Sequence, residues 1–284
     1  MTTAFVLSGG ASHGAIQVGM LQALAERHVR PDLVFGASAG ALNAAWVAGD
    51  PELARLDELA AIWVSLHARD VFPLRPLRGL LGFLGRRDSL VSSHSLRALI
   101  GRNLRFRRLE DAPIPLCVVA TEVTSGREVA LDRGDALDAI VASASIPGVL
   151  PPVEIDGQIL MDGGIVDNTP ISNAIAAGTS RIYVLPTGYA CDLQRPPKTA
   201  LAISLQAVSL LVQQRLIADV RELDGAFDLR VIPPPCPLDV SPADFSHGAE
   251  LIARARALAG SWLDTYEAGS EMRPEHRLHP HDLS

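Results

Sequence analysis

Short apolar runs alternate with longer stretches of helical periodicity through the first half of the chain. The runs "TAFVLSGG", "PDLVFGAS" and "PLCVVATEV" predict buried strands, because each is short, apolar and bounded by Gly, Pro or polar residues. Helices are predicted from about Ala15 to Arg27 and from about Ala39 to the end of an alanine-rich run. This alternation is typical of parallel strands joined by helices, so the pattern predicts an α/β fold.

The second half of the chain continues with elements of the same kind. Strands are predicted at "REVALD", "RIYVLPT" and "LRVIPP", the last two as central strands, and helices at "ELARLDELAAIWVSLHA", "ALDAIVASAS", Lys198–Leu223 and "SHGAELIARARALAGSWLDTYEA". The polar residues 269–284 are rich in His and Pro and are predicted to form a disordered tail. We find no internal repeat and no linker, so residues 1–268 are expected to fold as one domain.

The segment from Asp70 to Leu90 breaks this regularity. It mixes Leu and Phe with four arginines and is interrupted by prolines and glycines. One interpretation is an irregular cap packed over the domain. The other is a flap whose apolar side contacts lipid while its arginines contact anionic headgroups, which predicts peripheral membrane contact.

Composition and net charge indicate a globular protein and argue against some functions. Of 284 residues, 48% are hydrophobic and 20% are charged, which is typical of a globular protein. The net charge of −7 argues against a general nucleic-acid binder, because such proteins need excess Lys and Arg to neutralise phosphates. Three widely spaced cysteines, Cys117, Cys191 and Cys236, are typical of a reducing compartment and predict no metal cluster. With no secretory signal or membrane span evident, a cytoplasmic location is predicted.

The pentapeptide Gly36-Ala37-Ser38-Ala39-Gly40 carries the first candidate for chemistry. It fits the G-x-S-x-G pattern of a nucleophile elbow, in which a strand turns sharply into a helix and exposes a serine at the apex. Small neighbours are needed there because backbone approaches backbone. The alternative is that these small residues only let a helix pack tightly on the sheet.

A glycine loop, "SGGASHGA", follows the first predicted strand. Ala11 occupies the second glycine position of the dinucleotide fingerprint, and no G-K-[ST] follows, so neither that fingerprint nor a Walker A loop is present. Backbone N–H groups at a helix N-terminus remain, and they attract a bound anion or the oxyanion that forms when a carbonyl is attacked.

A third loop, "MDGGIVDNTP", places Asp162 after an apolar strand. Asp-Gly often forms a turn, but a serine nucleophile also needs an adjacent base, and Asp162 is a candidate for that role. Loops that follow parallel strands emerge at one edge of the sheet, so we expect the glycine loop and the Ser38 elbow to lie together there, with the Asp162 loop joining them as the third.

These motifs, together with "VASASIPGVLPPVEIDGQILMDGGIVDNTPI", resemble bacterial patatin-like phospholipases over roughly Phe5–Leu263. The resemblance implies a three-layer α/β/α fold with a mostly parallel central sheet. It also implies a serine acyl hydrolase that cleaves a lipid or other ester through an acyl-enzyme, with Ser38 as nucleophile, Asp162 as general base, and neither metal nor cofactor. The oxyanion hole it implies comprises N–H groups of Gly9, Gly10, Ala11, Ser12, His13, Gly14 and Ala39, with Gly36, Gly40, Gly163 and Gly164 shaping the turns.

Two residues of the glycine loop depart from the family pattern. Ala11 stands where the family usually has Gly, and His13 stands where it usually has Arg or Lys. Both changes retain the backbone N–H groups, whereas a positive charge is present only if His13 is protonated. We expect the departures to affect headgroup preference more than chemistry.

Two other functions stay open from the sequence. A triad esterase of Ser38, Asp162 and His247 has the chain order of α/β-hydrolases, although only about two strands precede Ser38 and that fold normally has several. A non-catalytic lipid-binding protein on the same scaffold is supported only by the altered glycine loop. The sequence does not determine the oligomeric state.

Overall fold

The computed structural model describes residues 1–71, 89, 91–188, 200–223 and 225–267. Within these residues, eight strands form one sheet. The strands are β1 Thr3–Leu7, β2 Leu33–Ala37, β3 Leu116–Glu122, β4 Glu128–Leu131, β5 Val153–Ile155, β6 Gln158–Asp162, β7 Arg181–Leu185 and β8 Asp228–Val231. Every predicted strand is present, and β5 is an additional one that the apolar pattern did not indicate.

The strand order is β5-β6-β3-β2-β1-β7-β8, and β4 pairs with β3 outside this path. Strands β3, β2, β1, β7 and β8 are mutually parallel, whereas β4, β5 and β6 join by antiparallel pairing. The sheet is therefore mostly parallel, as predicted. The prediction that "LRVIPP" is a central strand was wrong, because β8 pairs with β7 alone among the described strands. Leu229 and Val231 are nevertheless buried, which explains why this edge strand has the apolar pattern of a central one.

Helices cover both faces of the sheet and complete the three layers. The helices are α1 Gly14–Glu26, α2 Ala39–Ala48, α3 Leu56–Ser65, α4 Ala68–Val71, α5 His94–Asn103, α6 Ala136–Ser143, α7 Ile171–Ala176, α8 Ala200–Leu223 and α9 Gly248–Glu267. Helix α1 packs along α9 and also contacts α3, whereas α2 packs on β2 and β1. The predicted helices are present, and α5 was not predicted because its sequence lacks a long apolar stripe.

The hydrophobic core is centred on β1. Phe5 is fully buried, and its ring packs edge-to-face on that of Tyr183 in β7, with ring centroids 5.8 Å apart. Strands buried on both faces by helices contain continuous apolar residues, which is why β1, β2 and β3 were visible in the sequence.

Strand β3 aligns the ends of two other strands. It pairs with β2 up to Ala37↔Val119 and with β6 from Ala120↔Asp162. Since β4 pairs with the same β3 residues, it occupies the opposite edge, and β2 and β6 share one edge of β3. The last residues of β2 and β6 therefore meet at adjacent positions along β3.

Helix α8 packs into the hydrophobic core along only part of its length. Leu216, Ile217 and Val220 in its second half are buried. In its first half, Leu210 and Leu211 are exposed. The amphipathic pattern is therefore satisfied by core packing only toward the C-terminal end.

The described residues bear on the predicted location of the protein in two ways. Among the described helices, none is long and apolar enough to cross a membrane. Cys117 is a free thiol but Cys236 is disulfide-bonded, so the cysteines do not support the expectation of a reducing compartment. The cytoplasmic location stays a prediction. The predicted tail and nearly all of the Asp70–Leu90 segment lie outside the described residues, so its membrane contact also stays a prediction.

Candidate active site

Ser38 lies in the sharp turn between β2 and α2. Its backbone has φ 52° and ψ −123°, a strained conformation for a residue with a side chain. The flanking glycines are sterically required. A Cβ on Gly36 would lie 2.6 Å from the carbonyl oxygen of Gly40, and one on Gly40 would lie 2.1 Å from that of Leu7. The predicted elbow is therefore a turn in which strand and helix backbones are in direct contact.

The Ser38 hydroxyl donates a hydrogen bond to Asp162 across 2.7 Å, from Oγ to Oδ2. The other carboxylate oxygen, Oδ1, accepts from the backbone N–H of Gly164 at 2.8 Å. Gly163 is required for the turn, since a Cβ there would lie 2.1 Å from the carbonyl oxygen of Val119. Both oxygens of the Asp162 carboxylate therefore accept a hydrogen bond, one of them from the Ser38 hydroxyl.

Burial changes the ionisation of the carboxyl group. It raises the pKa of Asp162 from 3.8 to about 6, and the hydrogen bonds from Ser38 and Gly164 oppose this shift. A carboxylate with a raised pKa is a stronger base than an exposed one and is still ionised at neutral pH. Asp162 thus has the ionisation that a general base for Ser38 requires.

A second serine, Ser143, supports the elbow from α6. Its Oγ accepts from the backbone N–H of Ser38 at 2.9 Å and donates to the carbonyl oxygen of Val119 at 2.6 Å. Because Val119 also pairs with Ala37, this side chain fixes the elbow to β3 at the last paired position. Ser143 is fully buried.

The glycine loop presents fewer N–H groups than the sequence predicted. The N–H of Gly9 donates to Asn168, that of Ser12 to Pro242, and that of His13 to Gly10, each to a carbonyl oxygen at 3.0 to 3.1 Å. The N–H of Gly14 is directed to carbonyls of the preceding turn. Because these four groups are already hydrogen-bonded within the protein, their assignment to an oxyanion hole is corrected.

Three N–H groups remain. Those of Gly10, Ala11 and Ala39 make no hydrogen bond to any residue that the structure describes. Ala11 has φ 49°, in the left-handed region. Ala11, Ser38 and Ala39 line the same cavity, so the residues that carry two of these N–H groups lie beside the serine.

The His13 side chain makes a structural hydrogen bond and does not supply a fixed positive charge. It is buried, and its Nε2 lies 2.8 Å from the carbonyl oxygen of Val240, to which it donates. Burial lowers the pKa of His13, so the ring is neutral at pH 7. The hydroxyl of Ser12 donates to the next carbonyl, that of Ser241, at 3.2 Å. Both side chains therefore anchor the segment before α9 to the glycine loop.

Asn168 and Thr187 connect the three loops. Asn168 follows the Asp162 turn, and its side chain and backbone both bond to Gly9. Thr187 follows β7 and donates from Oγ1 to the carbonyl oxygen of Gly9 at 2.6 Å. A Cβ on Gly9 would lie 2.5 Å from Asn168 Oδ1 and 2.9 Å from Ser38 Cβ, so only glycine fits between them.

The structure does not bring His247 between Ser38 and Asp162. Its Nδ1 lies 3.1 Å from Glu250 and its Nε2 lies 3.6 Å from Asp244, at the exposed start of α9. In a triad the imidazole separates serine from carboxylate. Here the two are in direct hydrogen-bond contact, so the geometry does not support the triad alternative.

An apolar cavity opens at Ser38. Apart from Ser38 it is lined by hydrophobic side chains, including Leu42 of α2, Leu96 of α5 and Phe245. Among the described residues, no group of three or more His, Cys, Asp or Glu side chains is placed to hold a metal ion. The arrangement suits a nucleophile that attacks a substrate with an apolar body.

The family model named patatin-like phospholipase matches residues 5–175. The chain belongs to the patatin-like phospholipase family. Among its relatives is an uncharacterised NTE family protein of Mycobacterium bovis, 36% identical over 170 residues, which are 60% of this chain and 44% of that protein. The lysophospholipase NTE1 of Candida glabrata is 30% identical over 191 residues, which are 66% of this chain and 10% of that protein. The match therefore spans less than half of either relative.

The fold of this patatin-like chain also matches a solved structure. Human GIVD cytosolic phospholipase A2 superposes with a TM-score of 0.55 at 8% sequence identity, covering 98% of this chain and 60% of that one. At this identity the likeness concerns the fold alone. It confirms the α/β architecture expected from the family motifs.

Proposed function

We propose that this patatin-like chain is a lipid acyl hydrolase that uses Ser38 and Asp162 as a catalytic dyad. The observation that carries the proposal is the 2.7 Å hydrogen bond from Ser38 Oγ to a buried carboxylate, at the mouth of an apolar cavity. The family and the name of the lysophospholipase relative support a lipid ester as substrate. Because the match covers less than half of either relative, ester hydrolysis must be measured on this chain itself.

In the proposed reaction, Ser38 Oγ attacks the ester carbonyl carbon while Asp162 accepts the hydroxyl proton. The N–H groups of Gly10, Ala11 and Ala39 are the oxyanion donors, because they have no partner among the described residues. Collapse of the tetrahedral intermediate expels the alcohol, which takes the proton from Asp162 and leaves an acyl-serine. Asp162 then deprotonates a water that attacks the acyl-serine, and the fatty acid leaves as Ser38 regains its proton. Loss of one oxyanion donor typically costs about 10²–10³ in rate.

The proposal is tested by incubating the wild-type protein with p-nitrophenyl esters, lysophosphatidylcholine and a fluorophosphonate probe. We expect release of p-nitrophenol and fatty acid, and stoichiometric labelling of Ser38 identified by peptide mass spectrometry. A folded protein that shows neither hydrolysis nor labelling would contradict the proposal and favour the non-catalytic lipid-binding function.

The pH dependence of hydrolysis follows from the raised pKa of the Asp162 carboxyl. Only its ionised form accepts a proton, and burial raises its pKa to about 6. We therefore expect kcat/KM to be constant above about pH 7 and to fall about tenfold per pH unit below pH 6. The measurement is a kcat/KM profile with a soluble ester, with folding checked by circular dichroism at each pH. A profile controlled by a group near pH 7 that disappears in His247→Ala would instead indicate a histidine base.

A further inference from the structure

The carbonyl group of Gly9 accepts hydrogen bonds from two side chains that follow different strands. Thr187 donates to it from Oγ1 at 2.6 Å, and Asn168 donates from Nδ2 at 3.3 Å. Thr187 follows β7, whereas Asn168 belongs to the loop after β6. Thr187 also lies outside residues 5–175, which match the family model, and no sequence motif indicated a role for it.

Ser8 fixes the direction of the Thr187 hydroxyl. The Oγ of Ser8 accepts from the backbone N–H of Thr187 at 2.9 Å and donates to Thr187 Oγ1 at 3.4 Å. Both side chains are buried. The two hydroxyl groups therefore form a short chain of hydrogen bonds that ends on the Gly9 carbonyl, and in such a chain each bond polarises the next.

The Gly9 carbonyl and the Gly10 N–H belong to the same peptide unit. This unit is trans, so its C=O and N–H bonds point in opposite directions. Hydrogen bonds that fix the direction of the carbonyl therefore fix the direction of the Gly10 N–H as well. They also draw electron density from the amide nitrogen toward the carbonyl oxygen, which makes the N–H a stronger donor.

The same peptide unit lies between the nucleophile and Thr187. It begins beside Ser38, since a Cβ on Gly9 would lie 2.9 Å from Ser38 Cβ. It ends against Thr187, since a Cβ on Gly10 would lie 2.1 Å from Thr187 Oγ1. The Gly10 N–H makes no hydrogen bond to any described residue, so it is free to donate to a substrate oxygen at Ser38.

We propose that Thr187 is a positioning residue whose hydroxyl orients and polarises the Gly10 N–H for the oxyanion of the tetrahedral intermediate. The inference rests on the proposed acyl hydrolase function. Thr187 transfers no proton and acts only through the Gly9–Gly10 peptide unit. Asn168 makes the longer contact to the same carbonyl, so it retains part of this orientation when the Thr187 hydroxyl is removed.

Thr187→Val tests the role of the hydroxyl, because valine keeps the shape of the side chain. Acylation and deacylation both pass through an oxyanion, so we expect kcat and kcat/KM for p-nitrophenyl butyrate to fall together by about tenfold at unchanged KM. This loss is smaller than the about 10²–10³ that follows complete removal of a donor, because the Gly10 N–H is still present. Thr187→Ser keeps the hydroxyl and is expected to restore kcat.

Thr179→Val is the matched control. Thr179 is also buried, and its Oγ1 donates to the backbone carbonyl of Ala174 at 2.8 Å. It precedes β7 whereas Thr187 follows it, so the same substitution is made at opposite ends of one strand. We expect Thr179→Val to lower the urea midpoint as Thr187→Val does, but to leave kcat unchanged.

The kinetic result overturns the proposal in three cases. These are an equal fall of kcat in Thr187→Val and Thr179→Val, a wild-type kcat in Thr187→Val, and a loss that Thr187→Ser does not restore. Thr187→Ala takes the place of Thr187→Val if the valine variant fails to fold.

A spectroscopic measurement separates this inference from the proposed function. The sequence contains two Gly-Gly pairs, Gly9-Gly10 and Gly163-Gly164. Protein made with glycine that carries ¹³C at its carbonyl and ¹⁵N at its amide therefore gives one carbonyl-to-amide NMR correlation for each pair. The first reports the peptide unit held by Thr187, and the second reports the N–H that donates to Asp162.

In Thr187→Val we expect the Gly9 carbonyl resonance to move upfield, because the carbonyl loses its shorter hydrogen bond. It is expected to return in Thr187→Ser, while the signal of the Gly163-Gly164 pair stays unchanged. This result supports the positioning role even if no ester is hydrolysed. A Gly9 resonance that is unchanged in Thr187→Val, or an equal shift of both pairs, overturns the role even if hydrolysis is established.

Discussion

Ser38→Ala and Asp162→Asn are each expected to lower kcat/KM for an ester by at least about 10³-fold. The two groups act as one unit, because the hydroxyl proton passes directly to Asp162 across the 2.7 Å contact. The double variant is therefore expected to be no slower than either single variant. The measurement is ester hydrolysis with the three purified variants beside wild type. An Asp162→Asn protein that retains the wild-type rate would exclude the carboxylate as the base.

The same Asp162→Asn variant provides its own control for folding. In the folded protein the pKa of Asp162 is raised from 3.8 to about 6, so ionising this carboxyl costs stability. The cost is absent below pH 3.8, grows as the pH rises and is complete above about pH 6. At ~1.4 kcal/mol per pKa unit it is about 3 kcal/mol, and the neutral amide removes it. We expect Asp162→Asn to unfold at higher urea concentration than wild type at pH 8, and the difference to vanish near pH 4.

Gly40→Ala is expected to destabilise the fold by about 3 kcal/mol or more. Its Cβ would lie 2.1 Å from the carbonyl oxygen of Leu7 and 2.6 Å from that of Ser8. Both contacts are to the backbone that leaves β1, the centre of the sheet, so neither neighbour can move without shifting the glycine loop. The urea midpoint, with an unchanged slope, measures the loss.

Gly101→Ala is the matched control for this substitution. Gly101 is also a helical glycine, but it is exposed on α5, and its Cβ would meet only Leu137 Cδ2 at 3.9 Å. Without a clash, alanine is the better helix former, and a gain of about 0.5–1 kcal/mol is expected. A Gly40→Ala protein as stable as Gly101→Ala would show that the elbow tolerates a side chain at this position.

Two buried polar residues that support the site, Gln17 and Asn43, could have been recognised from the sequence. Gln17 interrupts the apolar helix α1, and Asn43 interrupts α2. Both are fully buried and bond to each other, and Gln17 also donates to the carbonyls of Ser8 and Leu185. A polar side chain in a continuous apolar helix predicts a buried hydrogen-bond partner, because an unpaired one is costly.

Other supporting residues had no local signal. Ser143 is separated from Ser38 by 105 positions, and Thr187 is separated from Gly9 by 178. Each is a common hydroxyl residue at the end of a predicted element, where capping or solvent exposure explains it equally well. Their roles exist only because α6 and β7 place them beside the elbow and the glycine loop.

The sequence by itself determined the α/β class, most central strands, the elbow serine and the aspartate at the end of β6. These were readable because buried parallel strands are continuous apolar runs and because tight turns admit only glycine. Tertiary structure alone decided that β2 and β6 end at adjacent positions of β3, that four N–H groups of the glycine loop are hydrogen-bonded within the protein, and that α2, α3 and α5 line the apolar cavity at Ser38. Those outcomes depend on strand register and on packing between residues far apart in the chain, which no local pattern encodes.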